Sequence, residues 1–182
     1  MSDKEKIYVV IVEDDEVIRE NMCILINESD DIICNETFSN CKDGIPAILR
    51  SSPDVVLMDI ELPGISGIEG IKKIRRHSSN IDILTVTVHD DEKIVFDALC
   101  AGACGYLTKN TDPNDILNAI RSVVRGGSPM TPKIARMVIQ SFHRNTNTPL
   151  TKRETEVLHL LGRGKSYNKI AETLFVDIET SQ

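Results

Sequence analysis

Three acidic residues in this sequence occupy positions at which they could bind a metal ion together. Glu13 and Asp14 follow a short apolar segment near the start of the chain, and Asp59 follows the apolar run DVVLM. Carboxylates gathered in one pocket repel one another, and burial raises their pKa values unless a cation lies among them. A small set of oxygen ligands favours Mg²⁺, which keeps several water molecules and coordinates phosphate oxygens. The sequence therefore predicts a magnesium site formed by these three carboxylates.

A metal ion beside Asp59 would make this carboxylate a nucleophile toward phosphorus, with an acyl phosphate as the product. Thr87 and Lys109 follow two later apolar segments. The ammonium group of Lys109 would stabilise charge on the phosphoryl oxygens, and the hydroxyl of Thr87 would donate to one of them. Each residue alone is weak evidence, because acidic residues after a strand often start a solvated helix. The order and spacing of the whole set indicate phosphoryl chemistry.

Alternating apolar and amphipathic segments must position these residues. Strands are predicted at 6–12, 31–38, 54–58, 81–88 and 105–108, and helices at 17–28, 67–77, 91–101 and 113–125, with a further helical stretch through Ile45, Ile48 and Leu49. Five β/α units in series predict an α/β fold with a doubly wound, five-stranded parallel sheet, because parallel neighbours need crossover helices. Ligands bind beyond the carboxyl ends of such strands, which is where the candidate residues lie.

The blocks IYVVIVEDDEVIRE, PDVVLMDIELPGISG and GYLTK resemble the receiver domain of two-component response regulators over residues 6–127. The resemblance implies a flavodoxin-like receiver fold in which Asp59 accepts a phosphoryl group from a histidine kinase. It implies that Glu13, Asp14 and Asp59 hold Mg²⁺ together with the main-chain carbonyl of Glu61.

The same resemblance assigns phosphoryl binding to Thr87 and Lys109, and a switch to Thr87 and Tyr106. In this switch Thr87 moves toward the phosphoryl group while Tyr106 turns inward, which remodels the surface of the fourth helix and fifth strand. Gly67 is expected to give the loop after the phosphoacceptor its conformational freedom. Val88 replaces a residue that is usually small in the family, and we hypothesise slower dephosphorylation or slower phosphorylation by small donors.

The residues after 127 change character. Residues 128–142 predict an extended lead followed by a helix, and residues 143–149 are polar and turn-prone, so 128–149 is interpreted as a linker that contains a helix. Residues 150–182 contain two helical segments around a glycine-containing turn, which is typical of a helix-turn-helix.

The stretch LTKRETEVLHLLGRGKSYNKIAETLFVD resembles the LuxR-type helix-turn-helix of NarL/FixJ-class regulators. By this resemblance the recognition helix would begin at Ile178, and most of it is cut off in a chain that ends at Gln182. Residues 150–182 carry five basic and five acidic side chains, whereas DNA binding needs a groove-reading helix and basic residues. We therefore expect this polypeptide to bind DNA poorly, and DNA to be a partner only of a full-length form.

Charge, cysteine content and hydrophobicity indicate which partners and which cellular location to expect. Residues 1–127 carry 13 basic and 23 acidic side chains, a net charge of −10, which does not favour a polyanion as the partner of this part of the chain. The five cysteines include no CxxC pair, and the N-terminus lacks a signal-peptide pattern, so a reduced cytoplasmic location is expected. No apolar run approaches the roughly 20 residues of a membrane span, so no membrane contact is expected.

The leading hypothesis is a phosphorylation-switched transcription regulator that is not a turnover enzyme, with a phosphorylation-dependent homodimer implied by resemblance only. The alternative is a stand-alone interaction protein that depends on phosphorylation and does not bind DNA. A third reading is a phosphatase, because Asp59-Ile60-Glu61 faintly resembles the DxD loop of haloacid-dehalogenase-like enzymes. That family places its loop after the first strand, whereas here it follows the third.

Overall fold

The computed structural model describes residues 6–144 and the single residue 160. In chain order the elements are β1 (Ile7–Val12), α1 (Glu16–Asn27), β2 (Ile32–Phe38), α2 (Cys41–Ser51), β3 (Val55–Met58), α3 (Gly67–His77), β4 (Asp82–Thr87), α4 (Glu92–Cys100), β5 (Gly105–Thr108), α5 (Pro113–Val124) and α6 (Pro132–Arg144). The predicted bounds of the five strands and of α1, α3, α4 and α5 differ from these by one residue at most, and α2 contains the helical stretch predicted through Ile45, Ile48 and Leu49. Within the described part, no helix is long and apolar enough to cross a membrane.

The five strands form one parallel sheet in the order β2-β1-β3-β4-β5. The predicted fold class, a doubly wound flavodoxin-like receiver fold, is therefore confirmed. In this sheet β2 lies on one side of β1, and β3 lies on the other side. The connection that follows β1 and the connection that follows β3 therefore lead toward opposite edges of the sheet. Val12 pairs with Met58 and Thr87 pairs with Thr108 at the carboxyl ends of these strands. Ligands of such sheets bind in the crevice beyond these carboxyl ends, at the point where the strand order reverses between β1 and β3.

Burial on both faces explains why the strands are continuously apolar. All four residues of β3 are buried, and they alternate between the two hydrophobic clusters that cover the sheet. Val56 and Met58 face the cluster that includes Ile71 and Ile74 of α3, and Leu57 faces the other cluster. A strand covered on both faces holds the residue after it in a fixed position.

The segment after α5 returns to the sheet. Gly126 ends the helical region in a left-handed backbone conformation with φ +80°. Residues 128–131 then run beside β5, where the Tyr106 amide donates to the Pro129 carbonyl at 2.9 Å. The helix predicted after this extended lead is α6, which extends to Arg144, so that the first two residues of the predicted 143–149 linker are helical. The remainder of that linker and the predicted partial helix-turn-helix at 150–182 lie outside the described residues, except for residue 160.

Candidate functional site

The carboxyl ends of the strands bring the predicted site residues to one edge of the sheet. The Glu13 amide donates to the Phe38 carbonyl at 2.9 Å, and the Asp59 amide donates to the Val12 carbonyl at 2.9 Å. The Lys109 amide donates to the Thr87 carbonyl, also at 2.9 Å. These residues follow their strands but remain hydrogen-bonded to the neighbouring strand, which fixes where their side chains begin.

Glu13, Asp14 and Asp59 form an acidic cluster. One carboxylate oxygen from each lies within 4.8 Å of the others. Glu13 is 0% exposed and Asp59 is 4% exposed, whereas Asp14 lies at the surface. Burial raises the pKa of Glu13 above its ordinary value, an effect that the nearby negative charge of Asp59 reinforces and the hydrogen bond from Lys109 opposes. The cluster thus combines two buried carboxylates with one that is open to solvent.

The ammonium group of Lys109 bridges the two buried carboxylates. Its Nζ donates to Oδ2 of Asp59 at 2.8 Å and to Oε1 of Glu13 at 2.8 Å. Burial lowers the pKa of Lys109, but the hydrogen bonds to Asp59 and Glu13 outweigh this effect and the pKa is raised. Lys109 is therefore held in its charged form, and the pocket still has two more negative than positive groups.

Both carboxylate oxygens of Glu13 lie against Lys109: Oε1 accepts a hydrogen bond from Nζ at 2.8 Å, and Oε2 lies 2.7 Å from the same atom. This single ammonium group also binds Asp59, so it cannot balance the charge of the three carboxylates. The hard oxygen donors and the remaining negative charge of the cluster suit Mg²⁺, so the residues present fit this ion.

Arg19 of α1 is a site residue that the sequence reasoning missed. Its Nη1 donates to the main-chain carbonyls of Glu13 at 2.8 Å and Asp14 at 3.1 Å. Asp15 caps α1 by accepting from the Ile18 amide at 2.9 Å. The sequence offered one indication of this contact: Arg19 is a basic residue in the first turns of the helix that follows Glu13 and Asp14.

Thr87 and Tyr106 are both 0% exposed. The Tyr106 hydroxyl donates to the His89 carbonyl at 2.9 Å, and Oγ1 of Thr87 accepts from the His89 amide at 3.5 Å. Burial, together with the charges of Asp91 and Asp59, raises the pKa of Tyr106 well above its ordinary value. Tyr106 therefore already occupies the inward position that the predicted switch gives it after phosphorylation. Both predicted switch residues hold the same peptide segment, which sequence reasoning did not identify.

The mouth of the site is formed by the loops after β3 and β4. The side chain of Glu61 is 70% exposed and lies 2.9 Å from Nε2 of His89. Val88 is 62% exposed, so it projects into solvent, and its hypothesised effect on access to the site stays a prediction.

The prediction that Gly67 supplies conformational freedom to the loop after β3 is wrong, because the φ of Gly67 is not positive. A Cβ at this position would lie 1.9 Å from the Asp59 carbonyl oxygen. Gly67 is needed for close backbone approach.

Comparison with known proteins identifies the family of this fold and site. Residues 9–121 match the family model of the response regulator receiver domain. An uncharacterized transcriptional regulatory protein of Bacillus subtilis (strain 168), YxjL, is 36% identical over 97% of this chain and 85% of its own length. The oxygen regulatory protein NreC of Staphylococcus carnosus (strain TM300) is 33% identical over 94% of this chain and 84% of its own length.

A solved structure agrees with these relatives. The two-component response regulator of the LuxR family from Aurantimonas sp. SI85-9A1 superposes with a TM-score of 0.71 and 28% identity, over 76% of this chain and 99% of that chain. The family match covers the β-strands that deliver Glu13, Asp59 and Thr87, and the sequence relatives extend the likeness over nearly the whole chain. The chain therefore belongs to the response regulators of two-component systems, in the group of NarL- and LuxR-type transcription regulators.

Proposed function

We propose that this response regulator accepts a phosphoryl group from a histidine kinase on Asp59. The observation that supports this most directly is the bridge from Nζ of Lys109 to Asp59 and Glu13 at 2.8 Å each. A cation fixed beside a buried carboxylate lets that carboxylate stay ionised and approach a phosphoryl group, which is itself negatively charged. In this proposal the chain is the acceptor of the group and not a turnover enzyme.

Glu13, Asp14 and Asp59, with the main-chain carbonyl of Glu61, would hold Mg²⁺ in this site. When bound, Mg²⁺ would neutralise charge on the phosphoryl oxygens during transfer. Oδ1 of Asp59 accepts a hydrogen bond from the Ile60 amide at 2.6 Å, and this bond orients the carboxylate. Arg19 fixes the backbone of Glu13 and Asp14, so that their carboxylates project toward Asp59.

Thr87 and Tyr106 would transmit the phosphorylated state. Lys109 and the hydroxyl of Thr87 would bind phosphoryl oxygens in the product. Because Thr87 and Tyr106 both hydrogen-bond to the backbone of His89, movement of Thr87 toward the phosphoryl group would move the peptide segment that Tyr106 holds.

The output of this switch would be control of transcription. YxjL is named a transcriptional regulatory protein, which favours this output over a stand-alone interaction protein. The proposed partners are a histidine kinase and a second copy of the chain after phosphorylation, with DNA as the target of the transcriptional output. For the 182-residue polypeptide we retain the expectation of poor DNA binding, because residues 150–182 carry equal numbers of acidic and basic side chains. A gel-shift titration of this polypeptide measures that affinity.

The phosphoacceptor proposal can be tested by chemical phosphorylation. The full chain is incubated with acetyl phosphate and Mg²⁺, and intact mass reports the addition of one phosphoryl group. The wild type should be modified in a Mg²⁺-dependent manner, and Asp59→Asn should not. Asp54→Asn is the matched control, because Asp54 lies before β3 at the opposite end of the same strand and accepts from the Tyr8 amide. Equal modification of Asp59→Asn and wild type would refute the proposal.

A further inference from the structure

The thiols of Cys23 and Cys34 lie together between α1 and β2. Cys34 is 7% exposed and belongs to the hydrophobic cluster that includes Met22 and Ile26 of α1, and Cys23, which is partly exposed, packs against the same cluster. Burial raises the pKa of Cys34 well above its ordinary value, and a hydrogen bond with the Cys23 thiol reinforces this effect. A thiol that solvent can reach is therefore in contact with a thiol that is buried.

The side chain of Asn27, the last residue of α1, fixes this contact. Its Nδ2 donates to Sγ of Cys23 at 3.4 Å and to the Cys34 carbonyl at 3.3 Å, and its Oδ1 accepts from the Cys34 amide at 2.9 Å. Because Asn27 lies one helical turn after Cys23, these bonds hold the backbone of Cys34 beside the turn of α1 that carries the other thiol. The two cysteines are thus positioned by hydrogen bonds as well as by packing.

The segment of β2 that carries Cys34 can move toward α1. In the sheet, β2 is an edge strand with β1 as its neighbour. The register of β2 against β1 shifts after Cys34, so that Asn35 is an extra residue without a partner on β1, and such a bulge interrupts the ladder locally. A bond between two sulfur atoms is shorter than a contact between two thiols, and this part of the strand can supply the small shift that the bond requires.

The other three cysteines have different surroundings. Cys41 and Cys104 are buried, and the Cys104 thiol donates to the carboxylate of Asp82 at 3.3 Å. Cys100 is exposed, and it is the last residue of α4, which connects β4 to β5. Within the part of the chain that the structure describes, Cys23 therefore differs from these cysteines by combining partial exposure with a second thiol as its neighbour.

We propose that Cys23 and Cys34 are a site of reversible oxidation, at which a hydroperoxide converts the two thiols into a disulfide. The Cys23 thiolate attacks the terminal oxygen of the hydroperoxide, the O–O bond breaks, and a sulfenic acid forms. The departing oxygen takes up the Cys23 proton and leaves as water or an alcohol. The Cys34 sulfur then attacks the sulfur of the sulfenic acid, so that the S–S bond forms and the sulfenic oxygen leaves as water with the Cys34 proton. The two thiols lose two electrons, and the hydroperoxide gains them.

The order of the two steps follows from exposure. A hydroperoxide can reach Cys23 from solvent, whereas buried Cys34 reacts with a sulfur atom that already lies beside it. Small thiols would reduce the disulfide again by exchange. In a reducing compartment, which the cysteine pattern predicts, the bond would therefore be transient. This inference does not depend on phosphorylation of Asp59.

Mass spectrometry of the full chain tests the proposal. The folded chain is treated with hydrogen peroxide, the remaining thiols are blocked by alkylation, and digestion at Asp30 and Asp31 without a reductant places the two cysteines on different peptides. The intact chain should lose two hydrogen atoms, and the peptides that carry Cys23 and Cys34 should stay linked until a reductant is added. Absence of this link, under conditions that oxidise exposed Cys100, overturns the proposal.

Single variants test the order of the steps and exclude other pairings. Cys100→Ser is the matched control and should form the link as the wild type does. Cys34→Ala should form no link and should retain a sulfenic acid at Cys23, detected with a probe specific for this group. Cys23→Ser changes a partly exposed position and should leave Cys34 as a thiol, because Cys34 is 7% exposed. Oxidation of Cys34 in Cys23→Ser at the wild-type rate, or a link from Cys23 to Cys100 in the wild type, overturns the proposal.

Hydrogen exchange of the oxidised chain shows whether the bond forms in the native arrangement. A disulfide between α1 and the edge strand restricts the open states of this region, so amides of β2 should exchange several-fold more slowly than in the reduced chain. Amides of β5, at the other edge of the sheet, should not change. Unchanged or faster exchange in β2 would mean that the disulfide forms only after this region opens, which contradicts a site built into the folded chain.

Discussion

Nζ of Lys109 lies 2.8 Å from Oδ2 of Asp59, although 50 residues separate them along the chain. The contact exists because Lys109 follows β5 and Asp59 follows β3, and the parallel strands that carry them end at the same edge of the sheet. The same ammonium group also binds Glu13, which follows β1. The ammonium group of Lys109 therefore joins residues at the ends of three strands. Substitution of Lys109 should affect phosphoryl transfer and Mg²⁺ binding differently.

Lys109→Ala should lower the rate of phosphorylation by acetyl phosphate about 100-fold at saturating Mg²⁺, because a fixed positive group at the transferring phosphoryl is lost. Mg²⁺ affinity should be equal or higher, since the variant removes a positive charge that competes for the same carboxylates. The two effects are measured by the time course of intact mass and by calorimetric titration with Mg²⁺. Lys93→Ala, an exposed lysine on α4, is the control; a parallel loss of Mg²⁺ binding in Lys109→Ala would contradict the assignment.

Arg19→Gln should weaken Mg²⁺ binding about 10-fold, as expected when a group that orients metal ligands is removed. Arg19 donates to the main-chain carbonyls of Glu13 and Asp14, so its loss lets the turn that carries both carboxylates move. Loss of its positive charge alone would strengthen Mg²⁺ binding, so the direction of the change separates positioning from charge. Titration calorimetry on Arg19→Gln and on Arg50→Gln, an exposed arginine of α2, makes the comparison. Tighter binding in Arg19→Gln would show that positioning is not its role.

The sequence was sufficient to predict the fold and the gathering of the acidic residues. The continuous apolarity of β3 indicated a strand buried on both faces, and a parallel sheet brings the residues after β1 and β3 together. The positions of Glu13 and Asp59 depend only on strand order and register. These features are repeated along the chain as alternating apolar and amphipathic segments, so local pattern and global fold agree.

Contacts made by side chains across loops could not be predicted in this way. The Arg19 guanidinium reaches main-chain carbonyls, and nothing in the residue types of Glu13 and Asp14 indicates such a bond. The amphipathic pattern of α6 indicated that one face is buried, but a pattern does not specify which surface covers that face. The role of Gly67 was misassigned for a similar reason, because a need for close approach and a need for positive φ both select glycine.

Gly67→Ala should destabilise the fold by roughly 3 kcal/mol, because a forced contact in a packed region displaces its neighbours. The Cβ would lie 1.9 Å from the Asp59 carbonyl oxygen, so the loop after β3 must shift and phosphorylation should slow as well. Gly64→Ala is a matched control in the same loop: its φ of +79° is strained for alanine, but nothing lies within 4 Å of the added Cβ. That change should cost about 1 to 2 kcal/mol. Urea unfolding measures both variants, and a Gly67→Ala protein as stable as Gly64→Ala would contradict the close approach.

Asp31→Asn should destabilise the chain at neutral pH and not at strongly acidic pH. Nε and Nη2 of Arg121 on α5 donate to the Asp31 carboxylate at 2.8 and 2.7 Å, which ties the loop after α1 to the last helix of the sheet domain. These hydrogen bonds, with a further one from Ser29, hold the pKa of Asp31 well below its ordinary range, and the same contact raises the pKa of Arg121. A charge-assisted, two-point contact that is partly shielded from solvent should contribute about 1 kcal/mol.

The pH dependence follows from the direction of the Asp31 shift. A folded-state pKa below the unfolded value, which is about 3.9 for aspartate, means that the contribution to stability is complete above that value and is lost as pH falls toward the folded pKa. The difference in unfolding free energy between wild type and Asp31→Asn should therefore be constant from pH 5 to pH 7 and shrink below about pH 4. Urea unfolding of both proteins across this range measures the difference. Asp30→Asn, at the exposed neighbouring position, should show neither the loss nor its pH dependence. A difference for Asp31→Asn that persists unchanged at pH 3 would mean that the neutral acid stabilises the fold as well as the carboxylate does, and that the ion pair with Arg121 is not its cause.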